Sequence, residues 1–121
     1  MTQDTAVIEK HMEQLVFDTK RGFLLFVILS LIDTGPKYSH DIKQAVYDVT
    51  GGVFTIDQTN LYRKLRKLER EKILKSFKKS LGNRANRKYY ALTPVGKEFY
   101  REICSLMQPV IDSFYKRMKA L

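Results

Sequence analysis

Apolar residues recur at intervals of three or four along the first 50 positions, a spacing that predicts helices. The first predicted helix covers residues 5–20, where polar residues separate Ile8, Met12, Leu15 and Val16. Residues 22–34 are apolar nearly all round, which is typical of a helix enclosed by others. A third helix is expected to begin with Ser39 as its N-cap and to end at Gly51-Gly52.

After position 56 the pattern changes from helix to strand. Asp57 is the expected N-cap of a fourth helix, whose apolar stripe is Leu61, Leu65 and Leu68. Two short β-compatible runs follow, at residues 73–79 and 88–92, and Leu81-Gly82-Asn83 between them is typical of a turn. The two runs therefore predict a β-hairpin.

The last predicted helix, within residues 93–121, has a long apolar seam. Thr93 is its expected N-cap, and Pro94 lies in the first turn, where a missing N–H is tolerated. Pro109 is expected to kink this helix or divide it in two. The helix could fold back onto its own domain, but we favour packing against a second copy, together with the helix over 5–20. The expected dimer contacts are Ile8, Met12, Leu15, Phe99, Ile103, Met107, Val110, Phe114 and Met118.

Composition indicates one small globular domain with a strong local charge. The 121 residues suffice for one domain, 1–121, divided into an N-terminal helix (5–20), a core (21–92) and a C-terminal helix (93–121). The 22 Lys and Arg exceed the 13 Asp and Glu by nine. Residues 62–90 hold twelve of the basic residues, with Glu69 and Glu71 as their only acids. An excess of this size attracts polyanions.

The sequence lacks the patterns typical of an enzyme, a metal site or a membrane anchor. His11 and His40 lie far apart, Cys104 is near neither, and no Gly-rich phosphate loop or paired-carboxylate motif is present. We therefore expect no catalysis, no cofactor and no bound metal. The apolar run 23–32 is shorter than the roughly 20 residues that span a bilayer. One cysteine cannot form an internal disulfide, so a reducing, cytoplasmic location is expected.

Helices followed by a hairpin form the element order of a winged helix-turn-helix, in which the helix before the wing enters the major groove. We therefore predict an α+β fold, mainly helical with a small hairpin, and helices at both ends for dimerisation. With its leucine stripe facing inward, the helix after Asp57 presents a nearly all-basic opposite face. Arginine can pair bidentately with guanine in the major groove of duplex DNA.

The expected DNA contacts fall into three groups. The recognition helix contributes Thr59, Asn60, Tyr62, Arg63, Arg66, Lys67 and Arg70. The start of the preceding helix contributes Tyr38, Ser39 and His40. The hairpin contributes backbone contacts that fix register, from Lys78, Lys79, Arg84, Arg87 and Lys88. Tyr62 is as compatible with packing against the wing as with a phosphate contact, and either Tyr89 or Tyr90 is expected in the core.

Six patches within about residues 20–100 carry a recognisable order and spacing. They are Arg21-Gly22-Phe23-Leu24, Gly35-Pro36-Lys37-Tyr38, Asn60-Leu61-Tyr62, Leu65-Arg66-Lys67-Leu68-Glu69, Arg87-Lys88-Tyr89-Tyr90 and Leu92-Thr93-Pro94-Val95-Gly96. Together they resemble the PadR family of bacterial winged-helix transcriptional regulators, in its short branch with one C-terminal dimerisation helix. Ser39-His40 stands where that family usually has Gly-Tyr, Arg63 where it commonly has proline, and Lys72 where it has glycine.

The resemblance implies a homodimeric, repressor-type regulator of nearby genes, often released from DNA by a small hydrophobic effector. A dimer would place its two recognition helices in successive major grooves, roughly 34 Å apart, on a pseudo-palindromic operator. Aromatic residues at the expected seam could line an effector pocket, or belong to a simple core: Phe17, Phe99, Tyr100, Phe114 and Tyr115. The alternative function is a winged-helix module that binds protein or RNA without recognising an operator.

Overall fold

In the part of the chain that the structure describes, four helices pack with a small antiparallel sheet, which is the α+β winged-helix arrangement that the sequence predicts. The computed structural model describes residues 3–80 and 87–121. In chain order the elements are α1 (Gln3–Asp33), β1 (Lys37–Tyr38), α2 (Ser39–Val49), α3 (Gln58–Arg70), β2 (Leu74–Lys79), β3 (Arg87–Leu92) and α4 (Pro94–Lys119). Strand β3 lies between β1 and β2.

Helix α1 is continuous over 31 residues. The expectation of separate helices over 5–20 and 22–34 is therefore wrong. Gly22 lies inside the helix, where glycine costs only about 1 kcal/mol relative to alanine, so the helical residues on both sides carry the helix through it. The two halves differ in their surroundings, because the buried residues of α1 all lie in its second half: Val27, Ile28, Leu29 and Ile32.

The core lies between the second half of α1, helix α2, the inner face of α3 and the sheet. The predicted leucine stripe of α3 is confirmed as its buried face, with Leu61, Leu65 and Leu68 all within the core. Tyr90 is buried beside them and Tyr89 is not, so one tyrosine of the pair is in the core as predicted. The other core residues of α2 and the sheet include Ile42, Val46, Leu74 and Leu92.

Two of the three predicted N-caps are confirmed. The Asp57 carboxylate accepts a hydrogen bond from the Asn60 N–H at 2.7 Å, and the Thr93 hydroxyl accepts one from the Gly96 N–H at 2.9 Å. Ser39 is not a cap, because α2 begins directly after β1 and its N-cap residue is Tyr38. Ser39 is instead the first helical residue and is only 7% exposed.

The hairpin forms within one residue of its predicted bounds. Strands β2 and β3 pair in antiparallel register from Leu74 opposite Leu92 to Lys79 opposite Arg87. The predicted turn and Arg84 lie outside the described residues. The sequence pattern did not predict β1, which places Lys37 opposite Tyr90. A two-residue strand whose partner lies about 50 positions away leaves no periodicity to detect.

Most of helix α4 is exposed rather than covered by the rest of the chain. Of the two effects expected of Pro109, a kink or a division, the division does not occur, because the helix runs continuously through this residue. Its first turn is tightly held, because a Cβ at Gly96 would lie 2.1 Å from the carbonyl oxygen of Ile73. By contrast, every residue in 108–121 is exposed. The C-terminal half of α4 therefore does not fold back onto its own domain.

Candidate nucleic-acid interface

Helix α3 has one buried and one exposed face, and the exposed face is strongly basic. Its three leucines lie in the core. The predicted contact residues of the opposite face are all exposed: Thr59, Asn60, Arg63, Arg66, Lys67 and Arg70. The structure thus brings these side chains together on one surface. A helix that is buried on one side and cationic on the other presents guanidinium and ammonium groups to a polyanion.

The first turn of α3 holds its polar side chains in a hydrogen-bonded series. The Asn60 side-chain amide donates to the second carboxylate oxygen of Asp57 at 2.7 Å. The Arg63 guanidinium donates to the Asn60 amide oxygen at 3.3 Å. Because guanidinium has five N–H donors, this contact orients Arg63 and leaves donors available for a ligand.

Tyr62 lies at the edge of the buried face. Its side chain is partly buried and packs against the core cluster. This placement supports a packing role for Tyr62 rather than a phosphate contact. Because the side chain is only partly buried, the ring lies at the border of the basic face.

An aromatic row crosses the outer face of the sheet, and sequence reasoning did not identify it. The rings of Phe77 and Tyr89 are stacked with centroids 5.8 Å apart, and the ring of Tyr38 lies 5.8 Å beyond that of Tyr89. The guanidinium of Arg87 lies 4.8 Å from the centroid of the Tyr38 ring. The ring of His40 is 5.7 Å from that of Tyr38, so the row joins the wing to the start of α2. The row could be predicted only from the pairing register of the three strands. That register includes β1, which the sequence pattern does not predict.

The basic residues of the wing differ in their surroundings. Lys78 and Lys79 are exposed on β2. Lys88 is half-buried on β3, and its ammonium lies 3.7 Å from the carboxylate of Glu69 on α3. A hydrogen bond with Tyr90 and the charge of Glu69 raise the pKa of Lys88 against the opposing effect of burial. Lys88 is therefore charged and engaged within the protein, whereas Lys78 and Lys79 point to solvent.

Residues 3–80 and 87–121 match neither the pattern of a metal-ligand cluster nor that of a membrane-spanning helix. In that part of the chain, no three His, Cys, Asp or Glu side chains cluster as metal ligands would. Its helices include none that is both long and apolar enough to cross a membrane.

Several solved structures share this fold. The chain is 28% identical to a transcriptional regulator from Clostridium thermocellum, with a TM-score of 0.67 over 82% of this chain and 96% of that one. A PadR family regulator from Eggerthella lenta shares the fold at a TM-score of 0.74 and 24% identity, with 96% and 99% of the two chains covered. Bacillus subtilis PadR in complex with operator DNA matches at 25% identity and a TM-score of 0.59, over 65% of this chain and 45% of that one.

The sequence also matches a protein family over most of the winged helix. The match is to the transcriptional regulator PadR-like family and covers residues 28–102. It runs from the buried end of α1 through α2, α3 and the hairpin into α4. Because it spans more than half of the chain and includes both the basic helix and the wing, the chain belongs to the PadR-like family of transcriptional regulators.

Proposed function

We propose that the chain is a sequence-specific, duplex-binding repressor that acts as a homodimer on a pseudo-palindromic operator. The observation that carries this proposal is the exposed basic face of α3, opposite its buried leucines. In this proposal α3 enters the major groove, where Arg63 and Arg66 contact guanine edges. Thr59 and Asn60 contact bases or phosphates near the helix start.

The wing and the start of α2 supply the second group of contacts. Lys78 and Lys79 contact the phosphate backbone and fix the register of the protein on the duplex. Tyr38 lies between Arg87 and His40, and this grouping suits the three side chains to an adjacent phosphate. Bacillus subtilis PadR, whose fold this chain shares, has been solved on operator DNA, which supports this use of the surface.

Exposed apolar residues on α1 and α4 support the homodimer. The large hydrophobic side chains that remain exposed on these helices include Ile8, Met12, Leu15, Phe17, Leu106, Val110, Phe114 and Met118. Several large apolar side chains exposed on the same two helices favour an interaction site there. A second copy would cover the seam and place two α3 helices in successive major grooves, roughly 34 Å apart.

A cavity at the base of this seam supports regulation by a small hydrophobic effector. It has a volume of about 210 Å³ and is lined mostly by apolar side chains of α1 and α4, among them Phe23, Phe26, Phe99, Ile103 and Met107. The stacked rings of Phe26 and Tyr100 hold the two helices together beside it. An effector bound here would act on the helices that form the proposed dimer.

The experiment that tests this function is the selection of bound duplexes from a random DNA pool at about 0.15 M salt, near physiological ionic strength. We expect a recovered palindrome. A double variant, Arg63→Ala with Arg66→Ala, should lose the motif. The matched control, Lys97→Ala with Arg101→Ala, removes the same charge from exposed positions on α4 and should keep it.

Recovery of no motif, with binding that disappears at that salt, would contradict the proposal. That result would mean that the basic surface binds DNA nonspecifically. It would favour the alternative function, a winged-helix module that binds protein or RNA.

A further inference from the structure

Glu69 places a negative charge in the most basic segment of the chain. It lies on α3, and its side chain is 33% exposed. A carboxylate here weakens the attraction of the surface for a polyanion. The contacts of Glu69 with the wing offset this unfavourable charge.

One carboxylate connects the recognition helix to both strands of the wing. Its first oxygen lies 3.7 Å from the ammonium of Lys88 on β3. Its second oxygen accepts a hydrogen bond from the hydroxyl of Ser76 on β2. The first contact is an ion pair, and the second is a hydrogen bond to an ionised acceptor, which is roughly twice as strong as a neutral one. The two contacts act from different strands. Together they restrain the angle between α3 and the hairpin.

The strand register explains why the wing needs this restraint. Lys78 and Lys88 are directly opposite each other on neighbouring strands, and like charges in that position are destabilising. Glu69 neutralises Lys88, whose ammonium also lies 5.1 Å from the centroid of the Tyr90 ring. Lys88 is thereby directed towards α3 while Lys78 remains exposed.

We propose that Glu69 is a positioning residue, which sets the wing against α3 so that Lys78 and Lys79 reach phosphates while α3 lies in the groove. Lys88 then braces the wing and does not contact DNA. This inference rests on the proposed function, because it concerns how two parts of the same surface engage one duplex.

Substitution by glutamine gives opposite results for a positioning role and for a purely electrostatic one. Glu69→Gln makes the surface more positive, so electrostatics alone predicts tighter binding. A positioning role predicts that the variant binds a duplex recovered from the random pool about tenfold more weakly at about 0.15 M salt. It also predicts that the slope of log K against log salt becomes smaller by about 0.9 for each lost phosphate contact. A change that only lowered stability would leave this slope unmoved.

Two further variants complete the test. Glu71→Gln removes the same charge two residues away, from an exposed carboxylate whose ion-pair partner is Lys67 on α3. This variant should bind as tightly as wild type or more tightly. Ser76→Ala breaks the contact from the strand side without changing the charge, so it should lower affinity and slope in the same direction as Glu69→Gln.

The outcomes separate this inference from the proposed function. If wild type selects a motif but Glu69→Gln and Ser76→Ala both keep its affinity and salt slope, the positioning role is overturned and the function stands. If wild type selects no motif, both fall. Urea unfolding checks that each variant is folded. A cooperative transition shows that the binding measurements were made on folded protein.

Discussion

Lys72 occupies a backbone conformation that favours glycine. Its φ is +65°, in the left-handed region, directly after the C-cap residue of α3. The N–H of Ile73 bonds the carbonyl of Leu68 and the N–H of Lys72 bonds that of Glu69, the paired hydrogen bonds of a Schellman motif. The departure from the PadR pattern at this position therefore changes the side chain but not the turn.

We expect Lys72→Gly to raise the free energy of unfolding by about 1 kcal/mol, because glycine adopts this conformation without the clash of a Cβ atom. Urea unfolding measures the change. Lys72→Ala serves as the control, since it removes the same charge and keeps the Cβ. An equal gain in both variants would assign the effect to charge and contradict the conformational explanation.

Arg66 is the residue whose substitution best distinguishes base recognition from phosphate binding. We expect Arg66→Ala to cost about 1–3 kcal/mol of binding free energy and to relax the preference at one operator position, because a bidentate guanine contact is lost. Affinities for single-base operator variants measure this. Arg101→Ala on α4 removes an equal charge and should leave the preference intact. A uniform loss across all sequences would instead make Arg66 a phosphate contact.

At the scale of elements, the wing and α3 present neighbouring basic surfaces, to which the proposed function gives different roles. Strand pairing presents Lys78 and Lys79 to solvent at the outer end of β2. Helix α3 presents its arginines on an adjacent surface, and Glu69 connects the two. A wing that contacts phosphates contributes affinity without contributing sequence preference.

For the double variant Lys78→Ala with Lys79→Ala, we expect affinity to fall evenly across operator variants. The slope of log K against log salt should become smaller by about 0.9 for each lost phosphate contact, because fewer counterions are released on binding. A salt titration of binding measures the slope. The control is Lys97→Ala, which removes one lysine charge from α4, outside the wing. An unchanged slope would show that the wing does not contact DNA.

Local signals in the sequence predict much of this fold. The leucine stripe of α3 has clear helical periodicity, and Asp57 and Thr93 each precede a helix with a side chain suited to capping. The same stripe predicts which side of α3 is exposed, so the main basic face of the candidate site follows from sequence alone.

The remaining features depend on contacts between distant parts of the chain. Strand β1 forms because β3 supplies its partner, and it moves the start of α2 so that Ser39 becomes a buried helical residue. Gly22 gives the signal of a break, but flanking residues override its modest helical cost. The link from Glu69 to Ser76 and Lys88 requires the packing of α3 against the sheet, which no periodicity encodes.

At the scale of the whole molecule, the proposed dimer accounts for the exposed apolar residues in the C-terminal half of α4. We expect wild type to sediment as a dimer at micromolar concentration and Phe114→Asp to sediment as a monomer, because a charge in an apolar seam is costly to bury. Lys116→Asp, on the opposite side of α4, is the control and should remain dimeric. A monomeric wild type would contradict the proposed assembly and the paired half-sites with it.

The unbroken helix α1 has a mechanical consequence for such a dimer. Its first half carries exposed apolar side chains and its second half lies in the core, so a displacement at one end is conveyed to the other. At 1.5 Å per residue the helix is a rod about 46 Å long, and a tilt of about 5° moves its far end by about 4 Å, more than the rise of about 3.4 Å between base pairs. The cavity beside Phe23 and Phe26 lies along this helix, so the proposed effector would tilt the helix if it bound there. A tilt of α1 by a few degrees would thus move the two copies of α3 out of register with the major grooves of the operator.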